Sequence, residues 1–202
     1  MAKIYIIDVT NRDGVQTSKI CLSKLPKTII NLYLNEMGIH QSEFGFPFTH
    51  HEINYLNANL ELAEKGVLAP IKLSGWMRAT VSDVKTSFKN CPKLKNLNLS
   101  ISTSDQMIIN KFKGKLDRES IIKEMTEAVK AARDFGAETI GANAEDASRT
   151  DIDYLIKFVK AAKEAGAHFP TQAVSGSPIR RERAGRRRSP PRWPQAPVSP
   201  PA

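Results

Sequence analysis

A chain of 202 residues, 41% hydrophobic and 25% charged, is long enough for one domain with a core, and no apolar run reaches the roughly 20 residues of a membrane span. The formal net charge of +9 points to nucleic acid or an acidic membrane only until it is divided along the chain. Residues 1–168 carry 23 Lys and Arg against 20 Asp and Glu, a net of +3, whereas residues 169–202 carry seven Arg against one Glu, a net of +6. The basic character therefore lies mostly in the last 34 residues. Met1-Ala2-Lys3-Ile4 leads into a strand-like run without the order of a secretory signal, so the cytoplasm is the expected compartment. Cys21 and Cys91 lack metal-like spacing and read as reduced thiols.

The body repeats a short β-rich run, a loop and an amphipathic helix. Ile4 to Asp8 predicts a first strand, and the apolar spacing of Leu22, Leu25, Ile29, Ile30, Leu32 and Leu34 predicts a helix over about 20–36. A second strand is expected near 40–45, then a helix over about 50–65 closed by Gly66. Ile71-Lys72-Leu73 fits a third strand, followed by a helix near 81–90 and a fourth strand over Leu97 to Ser100. Asp117 can cap a helix whose apolar side is Ile121, Ile122, Met125, Val129 and Ala132, with Gly136 as its stop. Glu138 to Ala142 reads as a fifth strand. Thr150 can cap a last helix, with Asp153 three residues later and Ile152, Leu155, Ile156, Val159 and Ala162 inside it. Such alternation predicts an α/β fold with a parallel sheet and helices outside: part of a (β/α)8 TIM barrel, about five βα units, too few to close it.

The tail from 169 differs. It holds eight of the twelve prolines, the run Arg186-Arg187-Arg188, and no periodic apolar pattern, so disorder is expected there. The body uses 18 Lys and five Arg, the tail only Arg. A change of reading frame, or a fusion to foreign sequence, would give such a switch. A basic nucleic-acid arm and an ordinary disordered extension are the other readings.

In a barrel of parallel strands, reactive groups gather where strands end and loops begin. After strand 1 comes Asp8-Val9-Thr10-Asn11-Arg12-Asp13-Gly14-Val15-Gln16. Its carboxylates could hold a hard cation, and its guanidinium could meet a substrate carboxylate or a growing oxyanion. The alternative is a turn with an internal Arg–Asp pair. Glu43 to Pro47 follows strand 2, the hydroxyl-rich Ser100 to Asp105 follows strand 4, and Asn143 to Arg149 follows strand 5. Their convergence at one end of a sheet argues for a site there. His50 and His51 read as surface residues at a helix start, Trp76 and Met77 after strand 3 as packing contacts, and no phosphate-binding glycine loop follows strand 1.

These segments resemble the homocitrate, isopropylmalate and citramalate synthase family, whose signature after the first strand is Asp-x-Thr-x-Arg-Asp-Gly-x-Gln. Here the usual Leu before Arg is Asn11 and the usual Glu before Gln is Val15. Glu43 to Pro47, Ser102 to Asp105 and Glu145 to Arg149 match further blocks, and the likeness covers residues 3–168, closest to the nitrogen-fixation type of homocitrate synthase. The resemblance implies condensation of acetyl-CoA with 2-oxoglutarate to give homocitrate, used in building the nitrogenase iron–molybdenum cofactor. It implies a divalent metal, Mg²⁺ or Mn²⁺, with Asp13 as ligand. Arg12, Glu43 and Glu145 would be catalytic, and Arg12, Gln16, Thr103 and Ser104 would contact substrate. The family's Asp-Thr strand 6 and its His-x-His pair are not found after His168. The chain is thus expected to be a fragment, or a subunit that needs a complementing chain or a homo-oligomeric neighbour, and inactive alone. Isopropylmalate or citramalate synthesis is the related alternative, and a non-catalytic fragment with a nucleic-acid-binding tail the distant one. The resemblance gives no role to nucleic acid or a membrane.

Overall fold

A computed structural model describes residues 5–171. Six parallel strands form one sheet in chain order: β1 Ile7–Asp8, β2 Gln41–Gly45, β3 Lys72–Arg78, β4 Asn96–Ser102, β5 Thr139–Glu145 and β6 Phe169–Thr171. The helices α1 Lys24–Glu36, α2 His50–Glu64, α3 Val81–Asn90, α4 Asp105–Phe112, α5 Arg118–Asp134 and α6 Ile152–Ala165 connect them. Sequential parallel order with helical crossovers is the architecture of an open segment of a (β/α)8 barrel.

Local chemistry places the helix starts. Thr49, Thr80, Ser104, Asp117 and Asp151 accept from the backbone N–H groups of Glu52, Asp83, Met107, Ser120 and Tyr154, satisfying first-turn donors that the helix leaves unpaired. The last helix is capped by Asp151, one residue beyond the expected Thr150. The Thr150 hydroxyl is engaged elsewhere, at 2.7 Å from Thr103 Oγ1 and donating to the Asp146 carbonyl at 3.1 Å. The first helix begins at Lys24 instead of about 20, because Lys19 takes a left-handed turn (φ 70°) and Pro26 then fits the first helical turn.

Strict alternation separates the two faces of the sheet. Leu97, Leu99 and Ile101 of β4, with Ile140, Ala142 and Ala144 of β5, are buried and face the helical layer, where Ile121, Met125, Val129, Phe158 and Ala162 are also buried. Asn96, Asn98, Ser100 and Ser102 take the other face, in register with Thr139, Gly141, Asn143 and Glu145. On β3, Ser74, Trp76 and Arg78 continue this row opposite Asn96, Asn98 and Ser100.

Three further expectations are corrected. Strand β3 runs on to Arg78, so Trp76 and Met77 lie within it, and β5 runs on to Glu145. The segment from Ser104 is a cap and a helix, α4, too short to show convincing periodicity. Phe169–Thr171 is a sixth strand where the tail was expected to begin, with Gly141 opposite Phe169 and Asn143 opposite Thr171. The edge of β5 offers backbone groups that need partners, and β6 takes them despite its Pro170. The remaining expectation of a disordered tail falls on 172–202, outside the described residues. No described helix is long and apolar enough to cross a membrane.

Candidate functional site

The loop after β1 is wound around one acceptor. The N–H groups of Arg12, Asp13 and Gly14 all point to the Val9 carbonyl, at 3.2, 2.8 and 3.2 Å. The Asp8 carboxylate accepts from the Thr10 N–H and hydroxyl at 2.9 and 3.0 Å, which fixes the loop's entry. Asn11 anchors it inward: its amide donates to the Lys27 carbonyl and to Asn31 Oδ1, both at 2.8 Å. Asn31 in turn bonds Tyr55, Asn59 and Ser42. This buried polar network explains Asn11 where a Leu is usual, since a polar neighbourhood calls for a polar partner.

With Asn11 buried, the next residue turns toward the polar face of the sheet. Arg12 Nε donates to Glu43 Oε1 at 2.6 Å, and another Arg12 nitrogen donates to Asp13 Oδ1 at 2.9 Å. The guanidinium lies 5.0 Å from the centre of the Trp76 ring, within cation–π range. The second oxygen of Glu43 accepts from Asn98 Nδ2 at 2.6 Å. Glu43 is only 4% exposed and Arg12 19%, so the charges meet largely out of water. Asp13 projects outward, 61% exposed.

A second carboxylate, Glu145 of β5, is held farther along β4, the strand that carries Asn98. Glu145 accepts from Ser100 Oγ at 3.0 Å, Ser102 Oγ at 2.6 Å and Lys111 Nζ at 3.0 Å. Burial alone would raise its pKa, but bonds from Ser102, Lys111 and Ser100 outweigh that effect and hold it below the ordinary 4.5. Positions 98 and 102 are four residues apart, about 13 Å along β4. That strand therefore holds Glu43 at one point and Glu145 at another.

The remaining predicted residues divide. Gln16 is exposed in the 3-10 turn Gly14–Gln16. Thr103 and Ser104 are buried. Thr103 bonds Thr150 and the Glu145 carbonyl, while Ser104 caps α4 and donates to Asp146. The Arg149 guanidinium, helped by Ser104, holds the Asp146 carboxyl below its usual range. Both hydroxyls therefore brace the segment that carries Glu145. His50 and His51 are exposed at the start of α2, as the sequence predicts. Sequence reasoning missed Asn98 as a site residue and took in Ser100 and Ser102 only as part of the hydroxyl-rich stretch after strand 4, although the alternation Asn96-x-Asn98-x-Ser100-x-Ser102 marks one polar strand face. Lys111 carried no signal, because its place depends on α4.

The donor set is poorly matched to a divalent ion. Glu43 is committed to Arg12 and Asn98, and Glu145 to two hydroxyls and Lys111, leaving Asp13 as the outward carboxylate. Among the described residues, no group of three or more His, Cys, Asp or Glu could hold a metal. One hard ligand does not fit an ion that takes about six, so the described residues do not by themselves form a metal site.

Comparison with known proteins agrees with this architecture. The HMGL-like family pattern matches residues 3–172. The citrate (Re)-synthase of Dehalococcoides mccartyi is 64% identical over 167 residues, 83% of this chain and 40% of the relative. The 2-isopropylmalate synthase 2 of Caldanaerobacter subterraneus subsp. tengcongensis is 40% identical, over 81% and 40%. The homocitrate synthase AksA of Methanocaldococcus jannaschii is 36% identical, over 81% and 38%. The chain thus spans about 40% of the length of these curated relatives. The HMG-CoA lyase of Brucella melitensis superposes with a TM-score of 0.64 at 13% identity, covering 83% of this chain and 60% of the lyase, which shows the shared fold. The match across the whole described body means that the chain belongs to the HMGL-like family.

Proposed function

We propose that this chain supplies the first six strands of a synthase that joins the acetyl group of acetyl-CoA to the keto carbon of a dicarboxylic 2-oxo acid, oxaloacetate first among them. The observation that carries this reading is the 64% identity to a citrate (Re)-synthase through the body, against 36–40% to the isopropylmalate and homocitrate relatives. Homocitrate synthesis from 2-oxoglutarate is the second reading. The loop signature around Arg12-Asp13 favours it equally, and a place in nitrogenase cofactor assembly belongs to that reading alone.

In this reaction an acetyl Cα–H proton leaves, the carbanion attacks the ketone carbon, and the former ketone oxygen becomes an alkoxide that is then protonated. Water cleaves the thioester and releases CoA. Arg12 is the group suited to the alkoxide: it is fixed by Glu43 and Asp13, and charge-assisted donation is strongest where water is scarce. Glu145, kept anionic by Lys111 and two serines, serves as an acceptor farther along the polar face, where β4 ends. Gln16 reaches substrate from the rim, while Thr103 and Ser104 act by bracing Glu145. The Mg²⁺ or Mn²⁺ expected from the resemblance needs ligands beyond Asp13, which a complementing chain or homo-oligomeric neighbour would provide.

The test joins residues 1–171 to the remaining sequence of the citrate (Re)-synthase relative and measures CoA release. Oxaloacetate should give the highest kcat/KM. Preference for 2-oxoglutarate would establish the homocitrate reading, and preference for 2-oxoisovalerate or pyruvate the isopropylmalate or citramalate one. No turnover with any acid, beside an active intact relative, would refute the synthase reading. The full chain alone is expected to be inactive, and full turnover from it would remove the need for a complement.

A further inference from the structure

A glycine on β5 has an unusual neighbour. Gly141 pairs in register with Asn98, and a Cβ built at Gly141 would overlap Asn98 Oδ1. The amide of Asn98 therefore occupies space that any other residue at 141 would fill. From there its Nδ2 donates to Glu43 Oε2 at 2.6 Å, and also lies 3.4 Å from Ser74 Oγ. The other oxygen of Glu43 receives Arg12 Nε, also at 2.6 Å. Four residues from β5, β4, β2 and the first loop thus form one line: a void, an amide, a carboxylate and a guanidinium.

We propose that Asn98, admitted by the missing side chain of Gly141, is a positioning residue that sets the orientation of Arg12 through Glu43. Physically, a buried carboxylate with one oxygen unpaired rotates or draws in water, and a rotated Glu43 no longer presents Oε1 to Arg12 Nε. Asn98 prevents this by occupying the second oxygen. It must be an amide rather than an acid, because an Asp there would set two buried carboxylates against each other. The space at Gly141 matters because Asn98 Oδ1 stands where a Cβ at 141 would be, while Nδ2 of the same amide reaches Glu43. The inference takes its interest from the role given to Arg12 under the proposed function, but its test needs no turnover.

The readout is the hydrogen-exchange rate of the Arg12 Nε–H in the full chain, followed by ¹⁵N NMR and assigned by its disappearance in Arg12→Lys. Amides of the α5 core serve as the folding control. Asn98→Ala and Gly141→Ala are each expected to speed Arg12 Nε–H exchange at least about tenfold while the α5 amides stay protected. In the Asn98→Ala background, Gly141→Ala should add nothing, because its methyl then meets a vacated space. Unchanged Arg12 exchange in either single variant would overturn the proposal, and so would additive effects in the double variant. If Asn98→Ala loses the α5 protection, Asn98→Ser, which keeps a polar group in less volume, carries the same comparison. A synthase reading that failed in the chimera would leave these exchange results as they stand.

Discussion

Glu43→Gln is the sharpest probe of the site, because it keeps shape and removes charge. In the native chain the two carboxylate oxygens accept from Arg12 Nε and Asn98 Nδ2, each at 2.6 Å, in surroundings where Glu43 is 4% exposed. A glutamine can offer its carbonyl to one donor only. Its NH2 then faces the other donor, so one charge-assisted bond is lost outright, worth about 1.5–3 kcal/mol, and the other falls to a neutral bond of about 1 kcal/mol. Arg12 then keeps the Trp76 ring and Asp13, the latter an outward pair worth about 0–1 kcal/mol. The expected loss of stability is about 2–5 kcal/mol. Urea unfolding followed by circular dichroism should show this as a lower midpoint with an unchanged slope. Arg12→Met should destabilise comparably by stranding the buried carboxylate, and the double variant should recover about 2 kcal/mol of the summed losses. A loss under about 1 kcal/mol for Glu43→Gln, with no coupling to Arg12, would mean that water screens the pair and that Glu43 does not hold the guanidinium.

Two other variants test the surroundings. Asn11→Leu restores the residue usual in the resembling family. It loses two amide bonds of about 1 kcal/mol each but also removes the buried Asn11 Oδ1, which has no partner, so urea unfolding should find stability within about 1 kcal/mol of the parent. A loss above about 2 kcal/mol would show that this oxygen is satisfied in solution. For Glu145 the folded pKa lies below the unfolded one. The resulting stability is present above the ordinary 4.5 and is lost as pH falls through the lower folded value. Thermal melts of Glu145→Gln should therefore lose part of the parent's acid-side decline, and an identical acid limb in both would refute the assignment.

Much of the scaffold is legible in the sequence because it rests on local rules. The helices over 50–64, 81–90, 118–134 and 152–165 follow from caps and apolar spacing that act within one or two turns. The loop signature and the Glu145 segment were legible for a related reason, since each cluster is short and contiguous in the chain. The misses are equally specific. Strand β6 is three residues long and contains Pro170, so only the waiting edge of β5 makes it a strand. The short α4 follows a hydroxyl-rich run and is too brief to show periodicity, and with it Lys111 was missed.

By itself, then, the sequence determined the alternation of strands and helices, and it singled out Arg12, Asp13, Glu43 and Glu145 as candidates at strand ends. Only the tertiary structure decided which of these meet. Glu43 lies 31 residues from Arg12 and 55 from Asn98, and Glu145 lies 34 from Lys111. Hydrogen bonds act over about 3 Å, so such partnerships are set by strand register and not by any neighbour in the chain. The register that places Asn98 beside Gly141 is what turns an ordinary polar strand into a support for Arg12.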